Sequence, residues 1–215
     1  MEEIIILSED EFLFLASLYK VTSVYGLSKG VPEKESQTIF IGLYSNGILT
    51  QTGEECTVMV TEPYKAAFEL LAKSDVLLTF WNREKQLVSF YLGDRIVGLE
   101  YCMGREKMLR MTVLSVDVFY EYLKERELLP QSLIAEDVIR VEAAYGKICL
   151  QEKEPQQKVL LYVKEKENWI PKAEYEMVKN GVCWYIRNAM QQSEYQNFYA
   201  KDFYDKMMEN RRSEV

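Results

Sequence analysis

Val76-Leu77-Leu78-Thr79-Phe80-Trp81 is the first of four short apolar runs that decide the fold of this chain; the others are Gln86 to Leu92, Arg95 to Cys102 and Met108 to Val113. Each is rich in β-branched and aromatic residues. Asn82-Arg83-Glu84-Lys85, Gly93-Asp94 and Gly104-Arg105-Glu106-Lys107 separate them. Strand-length runs joined by hairpin-length turns predict an antiparallel meander.

On the N-terminal side the hydrophobic period is 3.6 rather than 2. Ser8-Glu9-Asp10-Glu11 is a capping box, in which Ser8 accepts from the N3 amide and Glu11 reaches back to the cap amide. Phe12, Leu15, Ala16 and Tyr19 follow at i, i+3, i+4 and i+7, predicting a largely buried first helix. A second helix is expected from Ser36 to about Asn46, stopped by Gly47 in the left-handed conformation. A third starts at Thr61-Glu62-Pro63, with Pro63 at its first position and Tyr64, Ala67, Phe68 and Leu71 as its core stripe.

After the meander, Val116, Phe119, Tyr120 and Leu123 mark a helix that starts at Ser115 and ends before Pro130. Ile148 to Leu150, Val159 to Lys164 and Val182 to Ile186 are expected strands, and Ser193 to about Glu209 a closing helix. Gln151 to Lys158, charged and Pro-containing, is the most linker-like stretch and is expected to be a turn between strands. Helices and strands fall in blocks, so the expected class is α+β: a central antiparallel sheet flanked by helices, with the early helices on one side. Residues 1–130 supply the early helices, the sheet and the following helix. Residues 131–215 form a smaller half that completes the same compact unit.

The chain has 215 residues, 48% of them hydrophobic and 13% aromatic, enough apolar surface for a real core. Its 26 Lys and Arg against 34 Asp and Glu leave a net charge of -8, which repels phosphate backbones and anionic headgroups and makes nucleic acid and membranes unfavourable partners. It contains no histidine, which removes Ser-His-Asp and Cys-His nucleophile systems and His-ligated zinc. Cys56, Cys102, Cys149 and Cys183 are scattered among apolar neighbours and read as buried thiols. The acidic start and short apolar run Ile4-Ile5-Ile6-Leu7 match neither a signal sequence nor a membrane span, so the expected location is cytoplasmic.

No dinucleotide or P-loop fingerprint is present, and Gly26-Leu27-Ser28-Lys29-Gly30-Val31-Pro32 reads as a helix-terminating loop. The acidic pairs at Glu9/Asp10/Glu11, Glu54/Glu55 and Glu136/Asp137 read as solvated surface or caps. Neither a cofactor, a metal nor catalysis is expected. A rival pattern is a winged helix: the second helix, Gly47, Ile48-Leu49, a polar turn and the run Cys56 to Val60. Residues 35–46 carry no Lys or Arg, so such a unit would lack the footprint of a DNA reader.

Three stretches carry a family resemblance. They are Leu7 to Leu13; Ser45-Asn46-Gly47-Ile48-Leu49-Thr50 with the helix ending in Leu70 to Asp75 and the run Val76 to Leu78; and the hairpin Leu87 to Glu100 with the helix at Val116 to Leu128. Their order over residues 4–128 resembles the EspG-type accessory proteins of type VII (ESX) secretion and their distant Firmicutes relatives. The resemblance implies a cytosolic chaperone that binds a secreted helical-hairpin protein near its tip and escorts it to export. The loops corresponding to that family's contact surfaces are Asn82, Arg83, Glu84, Lys85 and Gln86, and the turn with Gly93, Asp94 and Arg95; the last helix, Ser193 to Met208, is the other. The second half is shorter than in the actinobacterial members, a departure from the family pattern; the partner that the resemblance implies is a WXG-, LXG- or PPE-like helical protein.

The C-terminal segment adds an argument of its own. Trp184, Tyr185, Tyr195, Phe198, Tyr199, Phe203, Tyr204, Met207 and Met208 crowd into one short stretch, more than a single helix face buries. With Phe198, Tyr199 and Phe203 as the core stripe, Tyr204 and Met208 are expected to project elsewhere, as a partner-binding surface or a homodimer contact.

Overall fold

The computed structural model describes residues 2–21, 24, 27, 33–52, 57–82, 87–105, 107–131, 154–191 and 194–209. Among these, one nine-stranded sheet organises the chain. Its strands are β1 (Glu3–Ser8), β4 (Val76–Asn82), β5 (Leu87–Leu92), β6 (Arg95–Tyr101), β7 (Met108–Ser115), β8 (Gln157–Glu165), β9 (Asn168–Asn180), β10 (Cys183–Asn188) and β11 (Gln196–Asn197), in the order β1-β7-β6-β5-β4-β8-β9-β10-β11. Every pairing is antiparallel. β2 (Leu49–Thr52) and β3 (Thr57–Val60) form a separate two-stranded hairpin. The helices are α1 (Glu9–Leu18), α2 (Glu33–Ser45), α3 (Tyr64–Lys73), α4 (Val116–Glu125) and α5 (Ala200–Glu209). The fold is α+β, and the meander β4 to β7 runs through the residues that the sequence pattern marks.

Each strand's alternation divides the apolar residues between two cores. On one face, Phe12, Leu15, Leu43, Phe68 and Leu71 of the first three helices cover Ile5, Leu7, Leu77, Tyr91, Val97, Met111 and Val113. On the other, Phe119 and Leu123 of α4 and Phe203, Tyr204 and Met207 of α5 cover Leu78, Phe80, Phe90, Ile96, Leu161 and Tyr175. Gly98 allows the closest contact there: a Cβ at this position would lie 2.9 Å from the Phe90 ring, its partner across the ladder.

The local signals are realised in detail. Glu11 N–H donates to Ser8 Oγ at 3.2 Å and Ser8 N–H donates to Glu11 Oε2 at 2.8 Å. Gly47 takes φ +70°, and Ile48 N–H donates back to the Leu43 carbonyl to close α2. Pro63 caps α3 one residue before the helix rather than opening it.

Two expectations need correction. The closing helix begins at Ala200, because Gln196 and Asn197 instead extend the sheet beside β10. β9, the longest strand, was not anticipated, because its charged residues and Pro171 hide its period. The register shifts at Leu161/Tyr162, where Ala173 and Pro171 are successive partners and Lys172 is left between them. This bulge exchanges faces: Tyr175 and Met177 join the α5 side, while Trp169 packs on Tyr91 at 5.7 Å on the other. The expected strand Ile148 to Leu150 lies outside the described residues, as do Gln151 to Lys153 of the linker-like stretch.

No helix among the described residues is long and apolar enough to cross a membrane.

Candidate functional site

The described positions anticipated for partner contact, Asn82, Gly93, Asp94, Arg95, Tyr204 and Met208, lie in separate parts of the fold. Consecutive meander strands alternate in direction, so the β4–β5 connection and the Gly93-Asp94 turn lie at opposite ends of β5, about 20 Å apart for a six-residue strand. Asn82 ends β4, its backbone opposite Gln157; Arg83, Glu84, Lys85 and Gln86 lie outside the described residues. At the other end, Gly93 N–H donates to the Arg95 carbonyl at 3.1 Å, and Arg95 Nη2 pairs with Glu3 at 3.7 Å.

Tyr204 does not project to a separate side. It is 8% exposed, packs on Phe119 and Tyr120, and its hydroxyl donates to the Val116 carbonyl at 3.5 Å. Met208 is half-buried against the same core. The chain solves the excess of C-terminal aromatics by starting the helix late: Phe198 is buried ahead of it, and Tyr195 lies under the Arg187 guanidinium at 4.7 Å. Cys183 is buried and Cys102 half-buried; Cys56 and Cys149 are outside the described residues. So are Glu54, Glu55, Glu136 and Asp137, and the glycine loop apart from Leu27. Glu11 serves the cap of α1, and Glu9 accepts from the Tyr101 hydroxyl at 3.1 Å. Burial first, and then that carboxylate, push the Tyr101 hydroxyl pKa up from its ordinary value.

A wide concavity among the described residues lies elsewhere, at the corner of the sheet formed by β1, β7 and β6. It is an open groove of about 900 Å³. Alternation along β1 creates its floor: Ile5 and Leu7 are buried under α1, so Ile4 and Ile6 face the opposite side, where they are 52% and 47% exposed. α4 lies on that side against β6 and β7 and stops at Glu125, short of the edge. Met103, 82% exposed, extends the apolar surface onto the β6–β7 turn, while Leu87 and Tyr101 border the groove from the strand ends, their side chains alternating toward the α1 face.

Arginines rim this floor. Arg126 Nη2 donates to Glu100 Oε2 at 2.6 Å, Arg110 lies 3.7 Å from the same carboxylate and 3.5 Å from Glu2, and Arg105 stands exposed on the turn. Sequence reading missed this site, since Ile4 to Leu7 carries no mark of which face a later helix will leave bare.

A second polar cluster crosses β8, β9 and β10. Lys158 bridges Glu174 and Glu176 at 2.9 and 2.8 Å, and Arg187 binds Glu176 through Nε and Nη2 at 2.8 and 2.6 Å. Glu176 is 7% exposed. Burial opposes its ionisation, but the hydrogen bonds from Lys158 and Arg187 outweigh it and hold the carboxyl below its ordinary pKa. All the charges are mutually compensated, which makes this a structural ladder across the strands.

Fold and site together define an α+β protein built on one long antiparallel sheet, with an apolar and basic groove open at its first corner. No protein-family model matches the chain, and no curated protein matches it.

Proposed function

We propose that this chain is a non-catalytic, cytosolic adaptor of type VII secretion that holds a helical-hairpin substrate and escorts it for export. The observation that carries this reading is the groove itself: exposed aliphatic side chains ringed by arginines are suited to binding another polypeptide. Monomeric proteins seldom leave contiguous apolar surface open without such a use. The order of elements from residue 4 to 128 supplies the secretion context, through its resemblance to the EspG-type proteins.

The test is affinity purification of the tagged chain from its own cells, with identification of what it retains. Recovery of a small WXG-, LXG- or PPE-like helical protein is the expected result, and its absence under low-salt conditions overturns the reading. The second reading, a winged-helix-derived interaction protein, is favoured by the separate β2–β3 hairpin that directly follows α2. Salt-sensitive retention of the chain on duplex DNA distinguishes it.

A further inference from the structure

We infer that the corner groove of β1, β7 and β6 is the docking site for one acidic amphipathic helix of a protein partner. This rests on the reading of the chain as a polypeptide-binding adaptor, and it names the chemistry of what is bound and where.

The argument begins with layers. A sheet face is normally covered by a helix or another sheet. α4 packs on β6 and β7 of this face and leaves Ile4 and Ile6 of β1 exposed, while the first helices bury Ile5, Leu7, Met111 and Val113 on the other face of the same strands. Ile4 and Ile6 on the α4 side, 52% and 47% exposed, and Met103 on the β6–β7 turn, 82% exposed, leave apolar surface open at this corner. A helix lying beside α4 completes the layer and covers Ile4 and Ile6 with its apolar stripe.

Charge then selects the partner. The groove holds Arg105, Arg110 and Arg126 against Glu100, with Glu2 at the rim as the second acid. Among the described residues on the α4 side of the groove that balance is positive, on a chain whose total is -8, which favours a partner carboxylate over a partner cation there. Arg126 and Arg110 are already turned toward Glu100 and Glu2; Arg105, exposed at the mouth, is placed to meet an acid flanking the partner's apolar stripe. A basic helix would gain the same apolar contact and lose this steering.

The experiment uses the full chain and two fluorescein-labelled peptides of about 18 residues, five helical turns. They share one leucine face, flanked by Glu in the first peptide and by Lys in the second. Fluorescence anisotropy is expected to show binding of the Glu peptide that weakens with added salt, and at least tenfold weaker binding of the Lys peptide. Ile6→Asp and Arg105→Glu, both at exposed positions, are each expected to weaken the Glu peptide roughly tenfold while the melting temperature stays unchanged. Equal binding of both peptides, no binding of the Glu peptide at about 100 μM, or affinity indifferent to both substitutions overturns the inference; the second result would also follow if another part of the chain fills the groove. If the purification above retains a helical substrate that Ile6→Asp and Arg105→Glu do not release, the groove is wrong and the adaptor reading stands. If nothing helical is retained while the peptide result holds, the secretion reading fails alone.

Discussion

Arg126, just past the end of α4, grips Glu100 of β6 at 2.6 Å, and the Glu100 side chain is only 15% exposed. Because Arg110 approaches the same carboxylate at 3.7 Å, one acid anchors a helix end and neighbouring strands at once. Glu100→Gln leaves the half-buried Arg126 guanidinium without its anion and Arg110 with Glu2 alone, and is expected to destabilise the chain by about 1–3 kcal/mol. Urea denaturation of the single variant and of Glu100→Gln with Arg126→Gln checks this: the double variant should recover part of the loss, and equal, additive losses would show that the pair is not coupled.

Gly98→Ala tests the close packing of β5 on β6. The new methyl would meet Phe90 at 2.9 Å, and Phe90 is itself fixed between Phe80 and Phe119. A loss of about 1–3 kcal/mol is expected. Adding Phe90→Leu to the Ala variant should cost less than Phe90→Leu does alone; full additivity would mean that the ring moves freely.

Glu176 gives the fold an acid-sensitive component. Its carboxyl is held below its ordinary pKa in the folded chain, so its contribution is complete above the unfolded pKa, about 4.3, and disappears as pH falls through the lower folded value. Glu176→Gln is therefore expected to be less stable than the parent at pH 7, by about 1–3 kcal/mol, with the difference closing progressively below about pH 4.3. Denaturation midpoints for both chains across this range provide the measurement, and a difference independent of pH would refute the assignment.

Tyr204→Ala is expected to damage the core rather than a surface. Removing a ring packed on Phe119 and Tyr120 should cost about 3 kcal/mol, a fall in Tm of roughly 6–12 °C for a chain of this size. Thermal unfolding followed by circular dichroism decides it; an unchanged Tm would return Tyr204 to the surface.

Both the meander and the caps were legible because their causes are local. Val76 to Trp81 is a strand-length apolar run that ends in a polar turn, Ser8 and Glu11 are three residues apart, and Gly47 follows an apolar helix stripe; each signal lies within one turn or one hairpin. β9 was hidden for the opposite reason. Pro171 and the bulge at Lys172 switch the face of its side chains midway, so no single period runs through Asn168 to Asn180.

The sequence by itself determined the α+β class, the two helix caps and the strands of the central meander, since spacing and capping depend on neighbours a few residues away. Only the tertiary structure decided that β1 pairs with β7 at the sheet edge, that Tyr204 turns inward, and that α4 ends short of Ile4 and Ile6. Whether an apolar side chain is buried depends on which distant element covers it. The same alternation that buries Ile5 and Leu7 under α1 leaves Ile4 and Ile6 open on a face where no described helix reaches them.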